Sequence, residues 1–322
     1  MRRRLLLRAD SSAQIGAGHV ARMVALAEEA AARGWRVAFA GEIANAEFLA
    51  TRFDELGVPR LPPETTADGF DAMVVDHYGI GELRAAVNAA GAALVSFEDG
   101  PFGRRAADVV VDCGFAAAAR PADGSPLVLT GACYTPLRQV VMEARRKRQA
   151  RDGVPEPPRV LVVLGGGGVW QDTVSDLLTA LRDTGSPCTV EALVRGTPAL
   201  PAAAAGQRFL VSPPGPGLHD RLVETDLVVS AAGVTLFELC CVGVPSALVR
   251  LVDNQDAGYR AALAQGFAVG LGSPGALENA AETLRGLLAE REALEGMAVA
   301  ASAAVDGQGA ARVLDEIDGV LR

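Results

Sequence analysis

Short apolar runs alternate with helical stretches along this chain, and the alternation occurs twice. In the first half the runs are Leu5–Leu7, Val37–Ala40, Met73–Val75, Ala92–Val95 and Val109–Val111. In the second they are Val160–Leu164, Cys188–Val194, Arg208–Val211, Leu227–Val229 and Ser246–Val249. Strands this short and this apolar are buried on both faces, which requires helices above and below a parallel sheet. Helical stretches supply that cover. His19–Ala32 places Val20, Met23, Val24, Leu26 and Ala27 at helical spacing and meets a stop signal at Gly34. Further helices are expected over 171–182, 276–289, 292–304 and 309–321. The pattern predicts two doubly wound α/β domains, and 322 residues suit two domains of ordinary size. Residues 143–158 are charged and then proline-rich, so domains over 1–150 and 157–322 are expected. The terminal helix is free to pack back on the first domain. In such sheets ligands sit beyond the C-terminal strand ends, so facing domains would share a central cleft lined by post-strand turns.

Charge narrows the chemistry. Among 30 basic residues Lys147 is the sole lysine, in the run Ala144-Arg145-Arg146-Lys147-Arg148, which reads as solvated. Schiff-base catalysis needs a buried lysine amine, and a P-loop needs a lysine after its glycines; neither fits. An anionic ligand must rest on arginines, backbone amides or helix N-termini. A net charge of −9 and a pI near 5.0 argue against nucleic acid or an anionic membrane as partner. Met1-Arg2-Arg3-Arg4 precedes only three leucines, too few for a signal-peptide core, and no window reads as a membrane span. Five cysteines without a C-x-x-C pair suggest reduced thiols in a cytoplasmic protein. His19, His77 and His219 are too far apart for metal-ligand spacing.

Five post-strand loops carry polar or glycine-rich chemistry. The first runs from Arg8 through Gly16 and Gly18 to His19 and Arg22. Gly16, Gly18 and Ala21 match a dinucleotide fingerprint, but seven residues separate Arg8 from Gly16, too many for its tight turn. A histidine at a helix start, where positive potential suits a neutral imidazole, is a candidate general base. A structural cap is the bland alternative. Second, Asp76-His77-Tyr78-Gly79 ends the third strand, where Asp76 is either a site residue or the cap of a helix starting near Ile80. Third, Glu98-Asp99-Gly100 ends the fourth, as an orienting acid pair or an Asp-Gly turn. Fourth, Gly165-Gly166-Gly167-Gly168 opens the second half and exposes successive amides to an anion. Fifth, Ser230-Ala-Ala-Gly233-Val234-Thr235 leads into Glu238, followed by Asp253-Asn254-Gln255. Gly233, Val234 and Thr235 open a helix able to bind phosphate, and Glu238 has the reach to hold a ribose diol. Alternatively, Thr235 and Glu238 form a capping box.

Together these segments resemble the sugar-nucleotide glycosyltransferase superfamily of the GT-B type, with two Rossmann-like domains. They most resemble its nucleotide-sugar hydrolases of the pseudaminic acid pathway and their spore-coat-polysaccharide relatives. The resemblance rests on Arg8-Ala-Asp10, Ile15-Gly-x-Gly-His19-x-x-Arg22, Asp76-His77-Tyr78-Gly79, Gly131-x-x-Tyr134-x-x-Leu137-Arg138, Ala232-Gly233-x-Thr235-x-x-Glu238 and Asp253-Asn254-Gln255. It implies a UDP-sugar substrate, with the nucleotide on the C-terminal domain and the sugar under the N-terminal loops. His19 would be the base, with Asp76 and Tyr78 beside it in the catalytic group. Gly16, Gly18, Arg22, Gly166, Gly167, Gly233, Val234, Thr235, Glu238, Asn254 and Gln255 would bind substrate or nucleotide. Two positions depart from the family pattern. Gly167-Gly168-Val169-Trp170 replaces its serine and aspartate, and Glu98-Asp99 its Asp-Asp.

The reading placed first is hydrolysis at the anomeric carbon, inverting and independent of metal or cofactor, releasing sugar and nucleoside diphosphate. The alternative is a transferase that uses the same base and a small-molecule hydroxyl or amine acceptor, with Trp170 either an acceptor platform or a core residue. A noncatalytic nucleotide-sugar-binding subunit stands third.

Overall fold

The computed structural model describes residues 2–12, 14–116, 119–151, 153, 156–165, 170–277 and 279–322. It divides into two compact units, one of Met1–Gln139 with Gly307–Arg322, the other of Val140–Asp306.

In the first unit, β1 (Arg4–Ala9), α1 (Gly18–Ala32), β2 (Arg36–Ala40), α2 (Glu47–Glu55) and β3 (Arg60–Leu61) form one wing. The other consists of β4 (Ala72–Asp76), α3 (Arg84–Ala89), β5 (Ala93–Glu98), β6 (Val109–Asp112) and β7 (Leu127–Thr130). All neighbours pair in parallel, in the order β3-β2-β1-β4-β5-β6-β7. The apolar runs are buried on both faces for a visible reason. Leu5 and Leu7 enter one core with Val24 and Leu26 of α1, whereas Leu6 points to the other with Met73 and Val75. Each fully buried leucine contributes roughly 1.5–3 kcal/mol. The sheet reverses its winding between β1 and β4, so the loops after these two strands flank its switch point.

The second unit takes α4 (Gln139–Gln149) from Val140 onward, then β8 (Arg159–Val163), α5 (Gln171–Asp183), β9 (Cys188–Leu193) and β10 (Gln207–Ser212). After α6 (Leu218–Glu224) come β11 (Leu227–Ala231), α7 (Val234–Val242), β12 (Ser246–Val249), α8 (Asp256–Ala264) and β13 (Ala268–Gly270). Helices α9 (Ala280–Ala289) and α10 (Arg291–Ala304) complete it. Its parallel order, β10-β9-β8-β11-β12-β13, repeats the first sheet's logic, with the switch point between β8 and β11. The final helix, α11 (Gly309–Val320), belongs to the first unit, where Ala310, Val313, Leu314 and Ile317 join the core of α1. Gly309 is required there, because a Cβ would lie 2.1 Å from the Thr135 carbonyl oxygen.

The 143–158 stretch, expected as a helix end plus linker, lies inside the second unit. Arg145 donates to the carbonyls of Cys241 (2.7 Å) and Val305 (3.0 Å). Arg148 donates to those of Thr225 (2.7 Å), Leu222 (3.0 Å) and Gly243 (3.0 Å). Both arginines thus close the C-terminal ends of neighbouring helices, where cations are favoured. Part of the run that reads as solvated is therefore structural. Lys147 remains on the surface, 2.8 Å from Asp220. Among the described residues no helix is long and apolar enough to cross a membrane.

Candidate functional site

In the first unit the two loops at the switch point converge on one buried cluster. β4 ends on Asp76, registered beside Ala9 of β1, and α1 presents His19 one residue after its first. The Asp76 carboxylate lies 2.6 Å from His19 Nδ1 and also accepts from Arg22 Nε (2.7 Å) and Nη2 (2.9 Å). A carboxylate can only accept here, so Nδ1 carries the proton and Nε2 is the ring nitrogen able to take one up. The 3.1 Å approach of Arg22 Nη2 to Nδ1 is then a contact between two donors, held by their common acceptor.

Arg22 also donates to Asp99 (3.0 Å), and Nη1 lies 3.4 Å from Cys113 Sγ. The Tyr78 hydroxyl donates to the other Asp99 oxygen. Its ring stands edge-on to the His19 ring, centroids 4.6 Å apart at 89°. Burial alone would raise the Asp76 pKa, but Arg22 and His19 outweigh it and hold the carboxyl well below the usual range. Asp99 follows the same balance, with burial outweighed by Arg22. Burial and the Asp99 charge push the Tyr78 phenol far up, so it stays a donor at any working pH. Burial pushes the Cys113 thiol up to about 11, which makes it an inert neighbour.

A second cluster braces these loops. Arg8 is bidentate to Asp10 (2.6 and 2.8 Å), whose carboxylate lies 3.1 Å from His77 Nε2. Gly79 N–H donates to His77 Nδ1 at 2.9 Å, so the proton of a neutral His77 sits on Nε2, facing Asp10. Arg105, 1% exposed, donates to the carbonyls of His77 and Ile80 and to Ser96 Oγ, pinning the loop that carries Tyr78.

Several local readings of the sequence change. Asp76 is the last residue of β4 and binds across the sheet, so it is no helix cap; α3 starts at Arg84 rather than near Ile80. Arg22, expected to help hold substrate, is 2% exposed and committed to Asp76 and Asp99. Glu98 and Asp99 do not act as a pair. Glu98 binds Arg120 (3.0 Å), whereas Asp99 joins the His19 cluster while also closing a tight turn with Phe102. Asp99, read as either an orienting acid or a turn residue, is both, and Cys113 is the cluster member that the motif reading missed. Gly16 adopts a left-handed φ of +78°, and Gly18 is the first residue of α1.

In the second unit, Gly233 caps α7 and Val234 and Thr235 form its first residues. Gln255, from the turn after β12, reaches the same place, since a Cβ on Gly233 would lie 3.5 Å from its amide nitrogen. Gln255 Oε1 accepts from Leu251 N–H (3.0 Å), and Asn254 precedes it in the turn. Thr235 lies within the helix rather than at its cap, so it and Glu238 form no capping box; Glu238 is buried 3.5 Å from His219 Nε2. Gly166 and Gly167 lie outside the described residues, as do Gly168 and Val169. Trp170 precedes α5 and packs half-buried against the second unit's core, in line with the core alternative. Among the described residues no group of His, Cys, Asp or Glu is arranged to hold a metal.

Two parallel doubly wound sheets of these orders match the GT-B fold. The likeness to solved structures is one of fold. MurG from Acinetobacter baumannii superposes with a TM-score of 0.67 at 18% identity, covering 99% of this chain and 100% of that one. The spinosyn forosaminyltransferase SpnP gives 0.63 at 14%, covering 98% and 99%. A putative UDP-N-acetylglucosamine 2-epimerase from Listeria monocytogenes gives 0.64 at 14%, covering 99% and 96%. In sequence, the chain is 32% identical to the UDP-N-acetylglucosamine–N-acetylmuramyl-(pentapeptide) pyrophosphoryl-undecaprenol N-acetylglucosamine transferase of Methylibium petroleiphilum. That match covers 60% of this chain and spans 58% of the relative's length. No family model matches the chain.

Proposed function

We propose that the chain is an inverting glycosyltransferase that moves a sugar from a nucleotide-sugar donor, a UDP-sugar first, to a hydroxyl or amine acceptor. The observation that carries the reading is the Asp76–His19 pair, which fixes the imidazole tautomer and leaves Nε2 as the proton acceptor. His19 Nε2 takes the acceptor proton while the acceptor oxygen or nitrogen bonds to the anomeric carbon. The bond from that carbon to the diphosphate oxygen breaks, and its electron pair leaves with the nucleoside diphosphate. Two carboxylates face one guanidinium, so the cluster holds one surplus negative charge until His19 is protonated. Proton uptake therefore neutralises it. Tyr78 limits the swing of the imidazole, and Arg22 with Asp99 holds Asp76 in place.

The nucleotide half of the reading rests on the second unit. The N–H groups of Gly233, Val234 and Thr235 start α7 and suit a diphosphate, and Glu238 would accept from the ribose. Gln255 lines the same turn. The relatives favour transfer over the hydrolysis that the sequence alone placed first. The test is to incubate sugar nucleotides with the chain, with and without a panel of hydroxyl and amine acceptors, and to follow nucleoside diphosphate. Release that depends on acceptor is expected. Release of free sugar in buffer alone restores hydrolysis, and full turnover by His19→Ala rejects the base.

A further inference from the structure

We infer that His219 is a positioning residue that sets the ribose selectivity of the α7 turn by orienting the Glu238 carboxylate. The inference rests on the reading of Glu238 as the acceptor of the ribose diol.

Helix α7 reads Val-Thr-Leu-Phe-Glu-Leu-Cys-Cys-Val, and Glu238 is its sole carboxylate. It is 6% exposed, among buried Leu236, Leu239 and Cys240. A carboxylate in such surroundings is costly unless it is paired or hydrogen-bonded. Facing it from α6 is His219, 3% exposed, with Nε2 3.5 Å from Glu238 Oε1. Packing alone would favour apolar side chains at both positions, as α6 has at Leu222 and Val223. The charged neighbours on α6 are engaged elsewhere. Asp220 pairs with Lys147 at 2.8 Å and Arg221 with Glu191 at 3.1 Å.

An approach of 3.5 Å to one carboxylate oxygen biases rotation about the Cγ–Cδ bond. Bidentate acceptance from a cis-diol is sensitive to that rotation, because both hydroxyls must meet lone pairs at once. The imidazole therefore selects for a ribose that offers both hydroxyls, without touching the nucleotide.

The experiment compares binding of UDP and its 2′,3′-dideoxy analogue by calorimetry on the full chain; ADP, GDP and CDP with their analogues follow if UDP does not bind. Wild type should favour the ribonucleotide by at least about tenfold, the worth of one hydrogen bond to a charged group. Glu238→Ala should reduce that preference to about threefold or less. His219→Leu should do the same while leaving affinity for the dideoxy analogue unchanged, which also reports that the variant is folded. His219→Gln, whose amide can still donate to Glu238, should retain most of the preference. If His219→Leu does not fold, His219→Asn, with too short a reach, carries the same expectation. A preference lost in Glu238→Ala but intact in the His219 variants overturns the role of His219 and leaves that of Glu238. A preference intact in Glu238→Ala, or absent from wild type with all four nucleotides, overturns the ribose reading and this inference with it.

Discussion

Asp76→Asn keeps the shape of the side chain and removes its charge, and its effects separate into activity and stability. The carboxylate accepts from His19 Nδ1 at 2.6 Å and from Arg22 at 2.7 and 2.9 Å. An amide offers one oxygen to these donors and turns its own NH2 toward the other. Breaking a buried ion pair costs about 3–5 kcal/mol, and Arg22 keeps Asp99 at 3.0 Å, which places the loss near the lower end, about 3 kcal/mol. For a unit of this size that is roughly 6–12 °C in melting temperature. The loss should also depend on pH. Burial raises the Asp76 pKa, but Arg22 and His19 bring the net value below its unfolded value of about 3.9. A depressed folded pKa stabilises above the unfolded pKa, and that contribution fades as pH falls through the folded value. The gap between wild type and variant should therefore be full at pH 7 and narrow below about pH 4. Urea unfolding between pH 7 and 3 measures it, with Trp35 fluorescence as the probe of the first unit in a Trp170→Phe background. Sugar-nucleotide turnover at pH 7 should fall by about 10²–10⁴-fold, since the imidazole loses its tautomer and its counter-charge. A stability gap constant from pH 7 to 3 would refute the claim that Arg22 keeps Asp76 ionised. Turnover within threefold of wild type would refute Asp76 as the partner of the base.

Three further outcomes are expected. Tyr78→Phe keeps the ring beside His19 and loses the bond to Asp99, so turnover should fall less than about tenfold, whereas Tyr78→Ala, which frees the imidazole, should cost more; steady-state kinetics of the two compares them. Gly309→Ala drives a Cβ against the Thr135 carbonyl and should lower the first unit's stability by about 1–3 kcal/mol, seen as earlier loss of the Trp35 signal in urea. Arg148→Lys replaces a planar fork that serves the Thr225, Leu222 and Gly243 carbonyls with a single ammonium. It should weaken the second unit by about 1–3 kcal/mol, read by Trp170 fluorescence, with the Trp35 transition unmoved.

The central strands were readable because burial on both faces removes polar residues from them, as in Leu5–Leu7 and Val109–Val111. The strands that escaped, β3, β7 and β13, are all sheet edges of two to four residues, where one side lacks a neighbour and apolar content is no longer required. The site divides along similar lines. His19 stands out through its glycines and helix start, a local signal. Asp76 sits fifty-seven positions away and Asp99 a further stretch on, and only the β1–β4–β5 pairing brings them onto Arg22. Within its own segment, Asp99 has the sequence signature of a turn aspartate, and it is one; its second task is set by the tertiary fold. Thr235 and Glu238 mislead in the opposite sense. Their spacing fits a capping box, but the helix begins two residues earlier, at the Gly233 cap.

The near-absence of lysine takes its physical meaning from how the arginines are placed. Arg22 reaches two carboxylates and a thiol, Arg105 two carbonyls and a hydroxyl, and Arg148 the carbonyl ends of two helices. Each task needs several donors in one plane, which a guanidinium supplies and an ammonium does not. These side chains are interior struts, each held by acceptors of the protein itself. Arg22 in particular spends its N–H groups on Asp76, Asp99 and Cys113, so a phosphate could take Nη1 only by displacing Asp99 and Cys113 from the cluster that braces His19. Phosphate recognition at Arg22 would therefore come at the expense of the contacts that brace the proton acceptor. On the proposed reading the anion rests instead on backbone amides such as those of the Gly233–Thr235 start of α7.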